Sequence, residues 1–544
     1  MVDSATKKAA EVVEETTHEL DVVDAPEDLE LDSLTGTEII SKIEQTKAKE
    51  TTIARGSQYN TKYHGYRSIK TTKNVETFEG FKKGEDHDQP QSPMARLFHE
   101  PGSNVYIIGI MGSKTKIRPD VFKENLVHTF LKNRRFSSLQ VMDQENGSMK
   151  WIPTHVNIDD HVFVPELNPN IESPEMFIED YISNLSRSHI ENTKPLWDLH
   201  ILDIKTSETE GTCVFRFHHS LGDGMSLMNL LLACTRKVSD PEALPTLPGN
   251  NKLGAAKVVS LWSRVGVIWN SFVALLMFVW TALFQEDTKT PMKGSKGVEH
   301  RARRFVVRTV SLDDIKMVKR AMNVTLNDVV LGVTQAGFYR YLLGRYSEID
   351  NRNADIPDNM RMRATFFFNL RATTRIADFT DTDTVGTWGN KIGYSLLPFD
   401  IRFKKDPLDY VRDANATMKH RKASLEPLFT YFFTKLVIML FGIKVAGKLN
   451  HKVFYNTTLW FSNVPGPQEE ITFFRHKVAY IAPSCYGQPN ALMIHVVSYM
   501  DKVMFVISAD EETIPDPHKL CDDLEESLRD IKASVQIANY QINK

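Results

Sequence analysis

His218-His219-Ser220-Leu221-Gly222-Asp223-Gly224 is the stretch on which the reading of this chain turns. Before it, Cys213-Val214-Phe215-Arg216-Phe217 is β-branched and aromatic, the composition of a buried strand. After it, Met225 to Lys237 is an apolar run ending in Arg236 and Lys237, which predicts a helix with its cations in the last turn. The two histidines therefore fall at a strand end, and Asp223-Gly224 open a helix. A strand end is a rigid place to hold a general base, and the unperturbed pKa of histidine lies near neutrality. The plainer reading is a chance His-His pair beside an N-cap and a turn glycine. A metal site is disfavoured, because adjacent residues on a strand point to opposite faces and would not readily chelate one ion.

The H-H-x-x-x-D-G pattern resembles the active-site signature of acyltransferases related to chloramphenicol acetyltransferase and the peptide-synthetase condensation domains. Further blocks narrow the resemblance to the plant-type wax ester synthase/diacylglycerol acyltransferases, from about Gln91 to the C-terminus. They are Pro90-Gln91-Ser92-Pro93-Met94-Ala95-Arg96, Pro195-Leu196-Trp197-Asp198, Asn327-Asp328-Val329-Val330, Phe368-Asn369-Leu370-Arg371, Trp388-Gly389-Asn390 and Ser462-Asn463-Val464-Pro465-Gly466-Pro467, followed by Tyr480-Ile481-Ala482-Pro483. Each is weak alone, but their joint order is hard to obtain by accident. A DFGWG-like block is missing, which argues against the plant BAHD acyltransferases.

This resemblance implies an α/β fold of two chloramphenicol-acetyltransferase-like halves, arranged as a pseudo-dimer around a central channel. It makes His219 the general base, His218 a supporting residue, and Asp223 a loop holder paired with an arginine elsewhere. Gly224 leaves room beside the channel. Asn327, Asn369, Arg371, Asn390 and Asn463 are candidate substrate-binding residues, with Asn390 a candidate oxyanion donor. The implied reaction is direct transfer from acyl-CoA to a long-chain alcohol, giving wax esters, with diacylglycerol as a second acceptor. A mainly diacylglycerol-directed enzyme and a catalytically silent lipid binder are the alternatives. No metal and no cofactor beyond the co-substrate acyl-CoA are called for. For the CoA phosphates, Arg301, Arg303 and Arg304 are one cationic candidate, although a solvated basic face or a headgroup contact is the more ordinary reading.

Composition sets wider bounds. With 544 residues and 42% apolar content, the chain is long enough for two or three domains. A net charge of -3 gives no indication of nucleic acid. The scattered cysteines Cys213, Cys234, Cys485 and Cys521 contain no C-x-x-C pair, as expected of reduced, structural thiols in a cytosol-facing protein. Residues 1–90 read as an acidic and polar, disordered leader without a secretory h-region. The first half spans 91–245, a linker 246–299, and the second half 300–544.

That linker contains Val265 to Phe284, with no charge between Arg264 and Glu286. A helix of this length suits a bilayer core of roughly 30 Å. A crossing would, however, put His219 and the later blocks on opposite sides of the membrane. A re-entrant or interfacial helix is the favoured reading, and a buried helix beneath a lipid tunnel is the alternative. The expected place is the endoplasmic reticulum membrane with a cytosol-facing catalytic part, or else the plasma membrane.

Overall fold

In a computed structural model the chain divides into two units, Met1–Tyr66 and Arg67–Lys544. The structure describes residues 89–542 except 144–148, 169, 248–274, 277, 350–355, 358, 372–387 and 423. The leader and most of the apolar linker, including 265–274, lie outside the described residues.

Strands and helices are mixed, as expected, and they build two large sheets. The first orders its strands as Val162–Phe163, Trp197–Leu202, Gly211–His218, Tyr106–Ser113, His476–Tyr486, Ile471–Phe473 and Thr235–Lys237. The second runs Ile392–Phe399, Met362–Asn369, Leu459–Val464, Leu492–Tyr499, Lys502–Ala509 and Arg304–Ser311. A small third sheet joins Gln89–Pro90, Met149–Pro153 and Ser138–Met142.

The division into halves at 91–245 and 300–544 does not coincide with the sheets. After Leu459–Val464 the chain leaves the second sheet and pairs His476–Tyr486 with Tyr106–Ser113. It then returns as Leu492–Tyr499. Alternation in the sequence cannot reveal such an exchange, because a strand buried against either sheet looks alike.

Local chemistry explains most element ends. Helix Leu312–Met322 starts at Ser311, whose hydroxyl accepts from the Asp314 amide, and stops at Asn323 in the left-handed region. Asp313 and Asp314 occupy its first turn, and Lys319 and Arg320 its last, each complementing the helix dipole. The run after the H-H-x-x-x-D-G motif behaves differently from the expectation. Its helix is Gly224–Ala233, and Thr235–Lys237 forms a strand paired with Ile471–Phe473. The Arg236 guanidinium still donates to the Ala233 carbonyl at 3.0 Å, so one expected cation does serve the helix end. Helix Pro119–His128 is followed by a separate 3-10 turn, Phe130–Lys132.

Candidate active site

The strand Gly211–His218 is buried along its whole length and delivers the two histidines to the seam between the sheets. His218 is 1% exposed, with Nδ1 2.6 Å from Ser220 Oγ and Nε2 2.9 Å from Asn104 Oδ1. Its ring packs beside His99 and against the edge of Tyr106. Both nitrogens of His218 are thus engaged by neighbouring side chains.

His219 turns the other way. Its backbone amide donates to the Val105 carbonyl at 2.9 Å, and its ring stacks on Phe98 with centroids 4.0 Å apart. The amide of Asn390 grips it twice. Asn390 Nδ2 donates to the His219 carbonyl at 3.0 Å, which leaves Oδ1 to accept from His219 Nδ1 at 3.1 Å. This arrangement places the imidazole proton on Nδ1 and leaves Nε2 as a free lone pair, the form a base requires. Burial lowers the pKa of His219 below the usual 6.5, an effect only partly offset by the Asp223 charge and the Asn390 hydrogen bond. The ring is therefore neutral at pH 7.

Asp223 holds the loop with both oxygens. Oδ1 accepts from the Ser226 amide at 3.0 Å and caps helix Gly224–Ala233; Oδ2 accepts from Arg371 Nη1 at 2.7 Å and from the Lys391 amide at 2.9 Å. Arg371 is thus the arginine the motif called for. Its guanidinium also donates to Ser226 Oγ at 3.0 Å and to the Gly389 carbonyl, so it is committed to the loop rather than offered to substrate. The 389 position requires glycine, with φ at +115°. Beside it, Trp388 Nε1 donates to the Leu221 carbonyl at 2.7 Å. The Trp388-Gly389-Asn390 block is a clamp on the H-H-x-x-x-D-G loop from a distant part of the chain.

His219 lines a cavity of about 890 Å³ to which both sheets contribute. Met94, Leu97, Phe98, Met228, Phe366 and Phe367 make much of its wall apolar. Gly224 also lines it, and a Cβ built there meets no atom within 4 Å, so the space beside it is open. Asn327, Asn369 and Asn463 are on the same wall. Asn463 Nδ2 donates to Asn327 Oδ1, tying helix Leu326–Ile349 to strand Leu459–Val464. Asn369 Oδ1 accepts from the Arg371 amide at 3.1 Å. Asn390, the candidate oxyanion donor, is not among the residues lining this cavity, and both ends of its amide bond His219.

Both family models of one acyltransferase group match this chain. The wax ester synthase/diacylglycerol acyltransferase catalytic domain matches residues 120–330, and the WS/DGAT C-terminal domain matches residues 388–532. Wax ester synthase/diacylglycerol acyltransferase 5 of Arabidopsis thaliana is 44% identical over 483 residues, covering 84% of this chain and 95% of that protein. The chain belongs to the wax ester synthase/diacylglycerol acyltransferase family. It is an O-acyltransferase. A second Arabidopsis thaliana relative, numbered 11 in the same series, is 45% identical over 465 residues, covering 82% of this chain and 95% of the relative.

The fold is shared more widely. A wax ester synthase/diacylglycerol acyltransferase from Marinobacter aquaeolei superposes with a TM-score of 0.54 at 18% identity, covering 82% of this chain and all of that one. The first condensation domain of the calcium-dependent antibiotic synthetase gives 0.50 at 11% identity, covering 83% and 97%. The two halves are thus of the expected chloramphenicol-acetyltransferase-like kind.

Other sequence blocks in this acyltransferase prove to be scaffolding. Trp197 is fully buried and donates from Nε1 to the Phe136 carbonyl at 2.9 Å, while Asp198 pairs with Arg216. Ser92 caps the short helix Pro93–Leu97, which ends at Phe98 and so sets the ring that stacks on His219. The cationic cluster fails as a phosphate site. Arg301 pairs with Asp510 and Glu512, Arg304 with Asp180 and Glu511, and Arg303 is fully buried beneath the carbonyls of Val298 and Gln488. Lys316 and Lys319 line the cavity instead, on the exposed side of helix Leu312–Met322. Sequence reasoning passed them over because lysines on an amphipathic helix look like any solvated face. Burial raises the Cys234 and Cys485 thiols to about 12, and both stay protonated.

Proposed function

We propose that this acyltransferase joins the acyl group of a long-chain acyl-CoA to a long-chain fatty alcohol, making wax esters. It takes diacylglycerol as a second acceptor to give triacylglycerol, and it works on the cytosolic face of the endoplasmic reticulum membrane. The observation that carries the reading is His219, which lines a large, mostly apolar cavity and has Nδ1 held by Asn390, leaving Nε2 as the basic nitrogen.

In this reaction neutral His219 accepts the alcohol proton as the oxygen attacks the thioester carbonyl. A C–O bond forms, and the carbonyl π pair moves onto oxygen. When that oxyanion collapses the C–S bond breaks, and CoA thiolate takes the proton from the imidazolium. Asp223 and Arg371 keep the loop in place and touch neither substrate. Lys319 is the cation offered to the CoA phosphates, with Lys316, which pairs with Asp313 at 3.4 Å, beside it. Acyl-CoA is a co-substrate, and these steps require no metal or redox cofactor.

Two features support work at a membrane. Helix Glu426–Phe441 exposes Phe432, Met439 and Phe441 at 60%, 74% and 65%, beside Leu436 and Leu440. Isolated exposed apolar side chains are ordinary, but a run of them along one helix is not. A narrow crevice lined by Phe278, Phe429 and Phe433 adjoins this helix and shares Tyr394, Thr430 and Asn450 with the catalytic cavity, a path suited to an alkyl chain leaving lipid. Among the described residues, no single helix is long and apolar enough to cross a membrane; only the pair Leu408–Arg421 and Glu426–Phe441, bent by 50°, passes by length and composition.

The test is a microsomal assay with labelled palmitoyl-CoA, offering hexadecanol and diacylglycerol in competition, with His219→Ala in parallel. Wax ester from the wild type and none from the variant supports the reading. Triacylglycerol alone would reverse the acceptor assignment, and ester made equally by the variant would remove His219 as the base.

A further inference from the structure

With Asn390 committed to His219, the oxyanion formed in the proposed reaction needs another donor, and the cavity wall holds one. Strands Leu459–Val464 and Leu492–Tyr499 run parallel, with Met493 beside Trp460 and His495 beside Ser462. Leu492, Ile494 and Val496 are buried in the core under the second sheet. Alternation therefore turns Met493 and His495 to the other face, where they line the catalytic cavity together with Trp460 and Ser462.

The ring of His495 is unusual among these residues. Its Nδ1 is buried without a hydrogen-bond partner, although the residue as a whole is half-buried. A buried polar atom left unpaired is costly, and in native structures such an atom calls for an explanation. Because Nδ1 itself is out of reach of the cavity, the remaining ring nitrogen, Nε2, is the one a ligand there can engage. His495 is also electrostatically coupled to His219, so the two imidazoles share one neighbourhood. It is unsuited to be a second base, since burial pushes its pKa down to about 3 and leaves it neutral. A neutral imidazole can still donate one N–H, a role that requires no change of charge.

We propose that His495 is the oxyanion donor, giving a hydrogen bond from its neutral ring to the thioester carbonyl oxygen as that oxygen becomes negative. The inference rests on the acyl transfer proposed above. His495 keeps its proton throughout, while the alcohol proton travels through His219 to the departing thiolate. Trp460, on the neighbouring strand, lines the same patch of wall, but its Nε1 is buried and is not the donor.

The test uses the full chain in microsomes, with CoA release and ester formation followed for palmitoyl-CoA and hexadecanol. His495→Phe keeps an aromatic ring and removes the donor; His495→Gln restores an N–H. The expected result is a fall in kcat of roughly 10²–10³-fold for His495→Phe, with KM for both substrates changed less than about threefold. His495→Gln should recover most of the rate, and the acid limb of the pH profile should remain that of His219 in both. Three results would overturn the proposal: kcat for His495→Phe within threefold of wild type, His495→Gln failing as badly as His495→Phe, or an acid limb that moves. If His495→Phe does not fold, His495→Gln against wild type still decides through its kcat and acid limb. A wild type that makes no ester from either acceptor would instead sink the underlying acyl-transfer reading.

Discussion

Asp223 and Arg371 form an ion pair of 2.7 Å with side chains 1% and 2% exposed, joining the catalytic loop to a segment 148 residues away. Breaking a buried pair by removing one partner strands the other charge, at a cost of about 3–5 kcal/mol. Arg371→Ala should therefore lower stability by that amount and abolish activity, because Asp223 also anchors the Lys391 amide beside Asn390. Asp223→Asn should cost less, since an amide oxygen can still cap the helix at Ser226. Urea unfolding of both single variants and the double variant checks this. A loss below 1 kcal/mol for Arg371→Ala would contradict it.

Asn390 governs the tautomer of His219. In Asn390→Ala the proton on Nδ1 loses its acceptor, and kcat should fall by roughly 10²-fold with little change in melting temperature. The acid limb of kcat/KM should lie below pH 6.5 in the wild type, because burial lowers the His219 pKa and the base works only when neutral. Asn390→Asp places a carboxylate against the ring, favours its charged form, and should move that limb to higher pH.

Fold stability should itself decline in mild acid. Burial lowers the pKa of His218 and His219, of His161 to about 4, and of His495 to about 3. Between these values and the unfolded value near 6.5 the unfolded chain binds more protons, so stability is full above about pH 6.5 and is lost as pH falls through the window. Each histidine contributes roughly 1.4 kcal/mol per pH unit there. Melting temperatures from pH 7.5 to 5 would reveal it, and a flat profile would refute it.

The apolar face of helix Glu426–Phe441 should carry membrane binding. Replacing Phe432, Met439 and Phe441 by Gln removes three exposed apolar side chains that the cavity does not use. Vesicle co-sedimentation should weaken by more than tenfold, while turnover of a short, water-soluble alcohol stays unchanged. Unaltered sedimentation would mean that another surface binds lipid.

Much of this architecture was legible because its causes are local. The strand ending at His218, the cap at Asp223 and helix Leu312–Met322 all follow from side-chain pattern and capping within a few residues. The misreadings have a common origin. Asn390 and Arg371 were candidates for substrate contact because polar residues in family blocks suggest it; in three dimensions they bond the catalytic loop. Arg301, Arg303 and Arg304 looked like a cationic surface, but acidic partners far along the chain neutralise two, and burial removes the third.

The sequence by itself determined the chemical type of the site: a base at a strand end, a capped helix behind it, and enough apolar chain to bury both. Backbone hydrogen bonding, side-chain alternation and capping act over a handful of residues, so their outcome is written in consecutive letters. Tertiary structure alone decided which nitrogen of His219 is free, which arginine meets Asp223, and that His495 faces the cavity. Those outcomes depend on groups brought together from far apart, as with His219 and Asn390, which are 171 residues apart. They also depend on the exchange that carries His476–Tyr486 into the first sheet before the chain returns to present His495. No local preference encodes such a meeting; packing the two sheets around one cavity does.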